Sequence, residues 1–322
     1  MDFNRPVTYQ LADGTTINLN SIAVSDVTTP APRGGYKVMS ARFNETPLVG
    51  YVDKRALQDG VDVGDTFLAM RSLSIVCGVF GTSTGDLHDK VQGLYDALRP
   101  IPRRYEDEYG FRELSFSQAT IDTTNFSTGY IPMTMLVRPA SLPEVTFTSS
   151  QSVGVSAKGF AAMIGFSFVA KTPYRFATTE RSISVSSSSA TTSLPNLGSA
   201  ETYPTFELIY SSSVSYAAAT VASVTFTMDS QSLKLNSLDF PAKSSSSEVR
   251  WYINFKDQTV YRGVRSSVGG TYVKTLRQDV IDTSSYSFGS VPPVDDATTT
   301  LTTTYTGSTL GLINISYREA WY

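Results

Sequence analysis

The chain has 322 residues and a 41% hydrophobic share, enough for two ordinary domains or one large all-β domain with a packed core. Only 17% of residues are charged, below the roughly 25% of a typical soluble domain, and Ser and Thr fill the gap, a composition suited to half-buried pleated surfaces. The net charge of −3 argues against nucleic-acid binding, which needs clustered Lys and Arg, and a single cysteine, Cys77, excludes an intramolecular disulfide framework and a cysteine-based zinc site.

The first residues, Met1 to Pro6, have no basic flank leading into an apolar stretch, so no signal peptide is expected. No apolar run approaches the roughly 20 residues that span a bilayer. The product is therefore expected to fold in a reducing cytoplasm, without a membrane partner. The spacing Asp59, Asp62, Asp65 lacks the alternate ligands and closing Glu of an EF-hand loop and reads as a charged turn.

The first clear strand follows. Leu73, Ile75, Cys77 and Val79 alternate with Ser72, Ser74, Val76 and Gly78, the period-two pattern of a sheet with one buried face. Cys77 takes the place of a small buried hydrophobe in it. Gly81 to Gly85 then matches the G-x-S-x-G nucleophile elbow between a strand and a helix. The only histidine, His88, lies five residues past Ser83, where it cannot serve as a triad base with an acid orienting its other nitrogen. The glycines read better as a tight turn and helix start.

Between Asp86 and Leu98 the apolar residues Leu87, Val91, Leu94 and Leu98 recur at spacings of four, three and four, one face of a helix. Ser83 and Asp86 resemble a capping box with Asp in place of Glu, and Pro100 and Pro102 close the segment. This is the one helix the sequence supports. Arg103-Arg104 and Glu106-Asp107-Glu108 read as a solvated loop.

Further strands follow at Ile131, Met133, Met135, Val137 and at Ile164, Phe166, Phe168, Ala170. From 181 to 201 the interior is charge-free and Ser-rich, with a Pro195-Asn196-Leu197-Gly198 turn, and this stretch is expected to be a linker. Beyond it come Phe206, Leu208, Tyr210; Val224, Phe226, Met228; and Val249, Trp251, Ile253, Phe255, with Trp251 expected in a sandwich core. Asp295 to Thr304 reads as a loop or solvated edge strand. Three sequons, at Asn44, Asn125 and Asn314, are attributed to chance in a Ser/Thr-rich chain. The residues themselves name no catalytic, cofactor-binding or metal site, and no enzyme is expected.

Three stretches resemble the distal tail proteins of long-tailed, non-contractile bacteriophages. The run Arg71 to Leu87, continued by Leu94 to Pro100, resembles that family's strand, glycine turn and proline-stopped helix. Ile164 to Tyr174 is similar to the closing strand of its first domain, with Lys171-Thr172 where the family has an acidic residue before Pro-Tyr. Tyr203 to Leu208 is similar to the proline-marked opening of its galectin-like sandwich.

The resemblance implies a mainly β protein, with an N-terminal belt domain over residues 1–180 carrying one main helix, a linker over 181–201 and a galectin-like β-sandwich over 202–322. It implies a virion protein made in the host bacterial cytoplasm and placed at the tail tip. There a homo-hexameric ring would meet the tail tube protein on one face and the baseplate hub or tail fibre on the other. DNA would pass through its lumen without stable binding. The alternatives are another β-rich tube or hub component, and a tail module that binds host-surface carbohydrate.

Overall fold

The computed structural model describes residues 5–11, 13–22, 34–44, 48–54, 61–68, 70–100, 110–148, 160–186, 191–211, 213, 215–243, 248–267, 269–293, 299–308 and 310–322. The chain divides into two compact units, Met1–Thr178 and Thr179–Tyr322, both built mainly of antiparallel strands.

The first unit contains β1 (Thr8–Gln10), β2 (Thr16–Asn18), β3 (Gly35–Phe43), β4 (Leu48–Lys54), β5 (Val61–Leu68) and β6 (Ser72–Gly81). The helix α1 (Thr84–Leu98) follows, then β7 (Arg112–Ala119), β8 (Tyr130–Pro139), β9 (Glu144–Thr148), β10 (Phe160–Ala170) and β11 (Arg175–Ala177). The main sheet runs β2-β1-β7-β8-β10-β6-β3, with β9 added to β10 and β11 to β8, while β4 and β5 form a separate hairpin.

The alternation of β6 sets its core face. Leu73, Ile75, Cys77 and Val79 are buried and lie opposite Phe168, Phe166, Ile164 and Ala162 of β10, so each apolar residue meets another across the ladder. α1 packs on β6 and β10 and buries Leu87, Val91, Leu94 and Leu98, the four positions that the helical spacing predicts.

The joint between β6 and α1 accounts for the G-x-S-x-G motif. Ser83, with φ −146°, is the N-cap, and its Oγ accepts the Asp86 N–H at 3.1 Å. The reciprocal bond differs from the expected capping box. The Asp86 carboxylate accepts the Thr82 N–H at 2.7 Å and the Thr82 hydroxyl at 3.0 Å, one residue before the cap, and pairs with Lys90 one turn on. At Gly81 a Cβ would stand 2.6 Å from the Leu87 nitrogen, so the strand enters the helix through a space only glycine leaves open. Arg99 ends the helix in extended geometry ahead of Pro100.

The second unit contains β12 (Arg181–Ser186), β13 (Thr191–Leu194), β14 (Thr205–Ile209), β15 (Ala219–Met228), β16 (Gln231–Phe240), β17 (Glu248–Asn254) and β18 (Thr259–Arg265). It continues with β19 (Val273–Leu276), β20 (Ile281–Tyr286), β21 (Thr299–Gly307), β22 (Leu312–Tyr317) and β23 (Ala320–Trp321). One sheet runs β12-β22-β14-β17-β18-β19, the other β13-β21-β15-β16-β20. Their inward residues form one core that includes Phe206, Leu208, Phe226, Leu233, Trp251, Ile253 and Phe255, the arrangement of a β-sandwich. Trp251 is fully buried, and its indole N–H reaches the Asp239 carbonyl at 3.1 Å.

Two expectations from the sequence give way here. The stretch 181–201 holds two strands: β12 pairs with β22 over six residues, and β13 pairs with β21. Val185 and Leu194 supply inward apolar contacts while neutral Ser and Thr face outward, so a composition that reads as a linker builds edge strands. Asn196 is wholly buried and donates to the carbonyls of Ala200 and Val291, both at 2.9 Å, tying the following turn down. Likewise Thr299–Gly307 is an interior strand between β13 and β15, with Thr299 and Thr303 buried, and not a loop or edge. Residues 294–298 lie outside the described ones.

Candidate assembly surfaces

The residues that the sequence offers for chemistry serve the fold. Ser83 caps α1, and His88 is exposed, its ring tilted against Phe147 with centroids 5.1 Å apart. Cys77 is buried, and burial pushes its thiol up to about 12. Asn44 donates to Ser72 at 2.6 Å, Asn125 closes a turn onto Asp122, and Asn314 sits mid-strand between Ser184 and Glu207. Among the described residues no group of three His, Cys, Asp or Glu side chains could hold a metal ion. Asp59 and residues 103–108 lie outside the described residues, as do the side chains of Asp62 and Asp65.

A polar network that the sequence reading missed covers the outer face of the second unit's six-stranded sheet. Arg250 of β17 donates to Glu207 of β14 at 2.9 Å and to Glu248 at 3.0 Å. Arg265 of β18 donates to Glu248 at 2.5 Å, with Lys243 at 3.6 Å from the same carboxylate. Asn314 of β22 donates to the second oxygen of Glu207 at 2.9 Å and accepts from Ser184 of β12.

Burial works against both carboxylates, yet Asn314 and Arg250 hold Glu207 below its ordinary range, and Arg250 does most to hold Glu248 there. Burial, then the Glu248 carboxylate, push the Tyr272 hydroxyl up to about 12.

Two aromatic rings of this face carry cations. Lys274 lies 4.0 Å over the Tyr252 ring, and Arg250 and Arg265 lie 4.9 and 5.2 Å over Tyr272. The network ties five strands into a stiff plate.

Open strand edges and exposed apolar side chains are the surfaces left to meet partners. Among the described residues the first unit's sheet ends at β2 and β3, with Met39 exposed on β3. The second unit ends at β12 and β13 on one side and at β19 and β20 on the other. All four residues of β19 are exposed, including Val273 at 72% and Leu276 at 51%. Ile121 is fully exposed on the β7–β8 turn, which Asp122 holds through its bonds to Asn125. Unpaired N–H and C=O groups beside exposed apolar residues are what strand pairing with another chain uses.

The fold matches a solved structure from end to end. It superimposes on the crystal structure of the Dit protein of phage SPP1 with a TM-score of 0.57 and 16% identity, over 99% of this chain and 100% of that one. That protein is described as a paradigm of the hub adsorption apparatus in phages that infect Gram-positive hosts. The structure of the phage P2 baseplate in its activated conformation matches more loosely, at a TM-score of 0.41 and 9% identity over 97% of this chain and 98% of that one. No family model and no curated relative matches the sequence.

Proposed function

We propose that this chain is a structural component of a bacteriophage tail tip, a distal tail protein that closes into a ring of six between the tail tube and the hub or fibre. The observation that carries the reading is the end-to-end likeness to the SPP1 Dit protein, in which both units find counterparts in one chain. The open edges support it. A ring repeats one contact between two different patches of the same subunit, and each unit offers edges at both ends of its sheets. In this reading the first unit makes the ring. The low net charge of −3 lets DNA pass the lumen without being held. The chain is not an enzyme in this reading, because Ser83 and His88, its nearest approach to a catalytic pair, serve the helix start and the surface.

The test is the assembled particle. Six copies of a 35.0 kDa chain give about 210 kDa, which light scattering after size exclusion separates from a monomer. Imaging of labelled tails then decides between readings: six copies, or a multiple, at the tip support the assignment. Label along the whole shaft would make it a tube protein instead. Any other number at the tip would refute the ring of six.

A further inference from the structure

The second unit follows a rule for its partly buried arginines. Arg181 binds Glu319, Arg250 binds Glu207 and Glu248, Arg262 binds Asp239, and Arg265 binds Glu248. Arg175, on β11 of the first unit, breaks it. Phe176 lies opposite Thr134, so by strand alternation Arg175 points to the other face, the core face that carries Met133 and Phe116. There its guanidinium stands 5.4 Å over the Phe43 ring, which itself packs on Phe116 with centroids 5.5 Å apart. Its Nη1 donates to the neutral Gln118 amide oxygen, and its Nε is buried without a hydrogen bond. The side chain is half-buried, and Nη2 makes no bond.

Taking a cation out of water without an anion beside it is costly, and the neighbouring charge adds to the cost. Burial first, and then the charge of Arg71, pull Arg175 down to about 10. Burial also lowers Arg71. Such an arrangement weakens the isolated fold, and side chains of this kind persist where a ligand supplies the missing charge. The geometry is ready for one. The guanidinium lies beside the Phe43 ring, and Gln118 takes only one of the two N–H groups on Nη1. The remaining N–H groups of Nη1 and Nη2 are donors of the kind that bind the oxygens of a carboxylate or phosphate.

We propose that Arg175, placed beside Phe43 and bonded to Gln118, is the anchor of an oxyanion site on the first unit. The shared chemistry is a planar pair of anionic oxygens, from a side-chain carboxylate of a second copy of this chain or from a free anion.

The test uses the full chain and its Arg175→Met and Arg175→Lys variants at pH 7 and constant ionic strength. Sodium chloride is exchanged for inorganic phosphate or for acetate. In the wild type either oxyanion raises the first unit's unfolding midpoint saturably, by about 3 °C at a tenfold excess over its Kd. Arg175→Met shows no such rise, and its midpoint in chloride equals or exceeds that of the wild type, because methionine removes the charge and keeps an apolar stem against Phe43. Arg175→Lys keeps part of the response but loses the two-point fit.

Light scattering separates the sources. If phosphate and Arg175→Met both weaken self-association, the carboxylate of a second copy is the native occupant. If association is unchanged while the midpoint still responds, the occupant is a free anion. Absence of a saturable rise in the wild type, an equal rise in Arg175→Met, or a midpoint several degrees lower in that variant would each overturn the proposal. The midpoint readouts do not depend on a ring of six, so this site and the tail-tip reading can fail separately.

Discussion

Leu94→Ala is the sharpest test of how the first unit holds together. Leu94 is fully buried on the face of α1 that meets β6 and β10, with Val91 three residues before it and Leu98 four residues after it on the same stripe. Truncation removes three carbons from a site that cannot easily close. The helix is fixed at one end by the Ser83 cap and the Gly81 joint and at the other by Pro100, and sheet lies underneath. A leucine site that stays open costs toward the upper part of the usual range of about 2–5 kcal/mol, here about 3–4 kcal/mol. For a unit of this size that lowers the midpoint by roughly 6–16 °C.

Gly93→Ala is the matched control on the same helix. Gly93 is exposed, nothing lies within 4 Å of a Cβ placed there, and alanine is favoured in a helix interior by about 1 kcal/mol. Thermal unfolding followed by circular dichroism should move down for Leu94→Ala and up by a few degrees for Gly93→Ala. A Leu94→Ala midpoint equal to wild type, with Gly93→Ala shifted as expected, would show that the helix forms but is not a core element.

Gly81→Ala should cost more than a strand glycine usually does, about 2 kcal/mol or above, because backbone of Leu87 blocks the new methyl; an unchanged denaturation midpoint would contradict that joint. Ser83→Ala should remove only the cap, about 1 kcal/mol, and leave no change in ester hydrolysis against a no-protein blank. Glu248 is held below its ordinary 4.5, so the stability it contributes is present above that value and lost as pH falls through the folded-state value. The second unit's midpoint should therefore drop as pH falls below that range, and the drop should be smaller in Glu248→Gln; equal pH profiles would disprove the linkage. Cys77 should resist iodoacetamide at pH 8 in the native protein and react once the first unit unfolds, since its thiol is buried and lifted to about 12. Rapid native labelling would place it on the surface.

Local pattern was enough wherever one element's own face decided its form. The strand at Leu73 to Val79, the helix expected from Asp86 to Leu98 and found from Thr84, and the inward Trp251 follow from period two, period 3.6 and a capping serine, all read within a dozen residues. Residues 181–201 show where that reading stops. A Ser- and Thr-rich stretch without charge is compatible with a free linker and with an edge strand, and only the presence of β21 and β22 alongside selects the strand. Thr299 and Thr303 are polar enough to suggest solvent, but they share the face of β21 that carries Leu301 into the sandwich core.

The surface chemistry lay beyond the sequence for the same reason. Ser184, Glu207, Arg250, Arg265 and Asn314 come from five strands up to 130 residues apart, and Arg175 meets Gln118 across 57 residues. Whether an arginine finds a carboxylate or a glutamine depends on strand order and register, and these are set by how the apolar faces pack together. Composition fixed the class of fold, while packing decided which charges are neighbours and that Arg175 meets Gln118 and not a carboxylate.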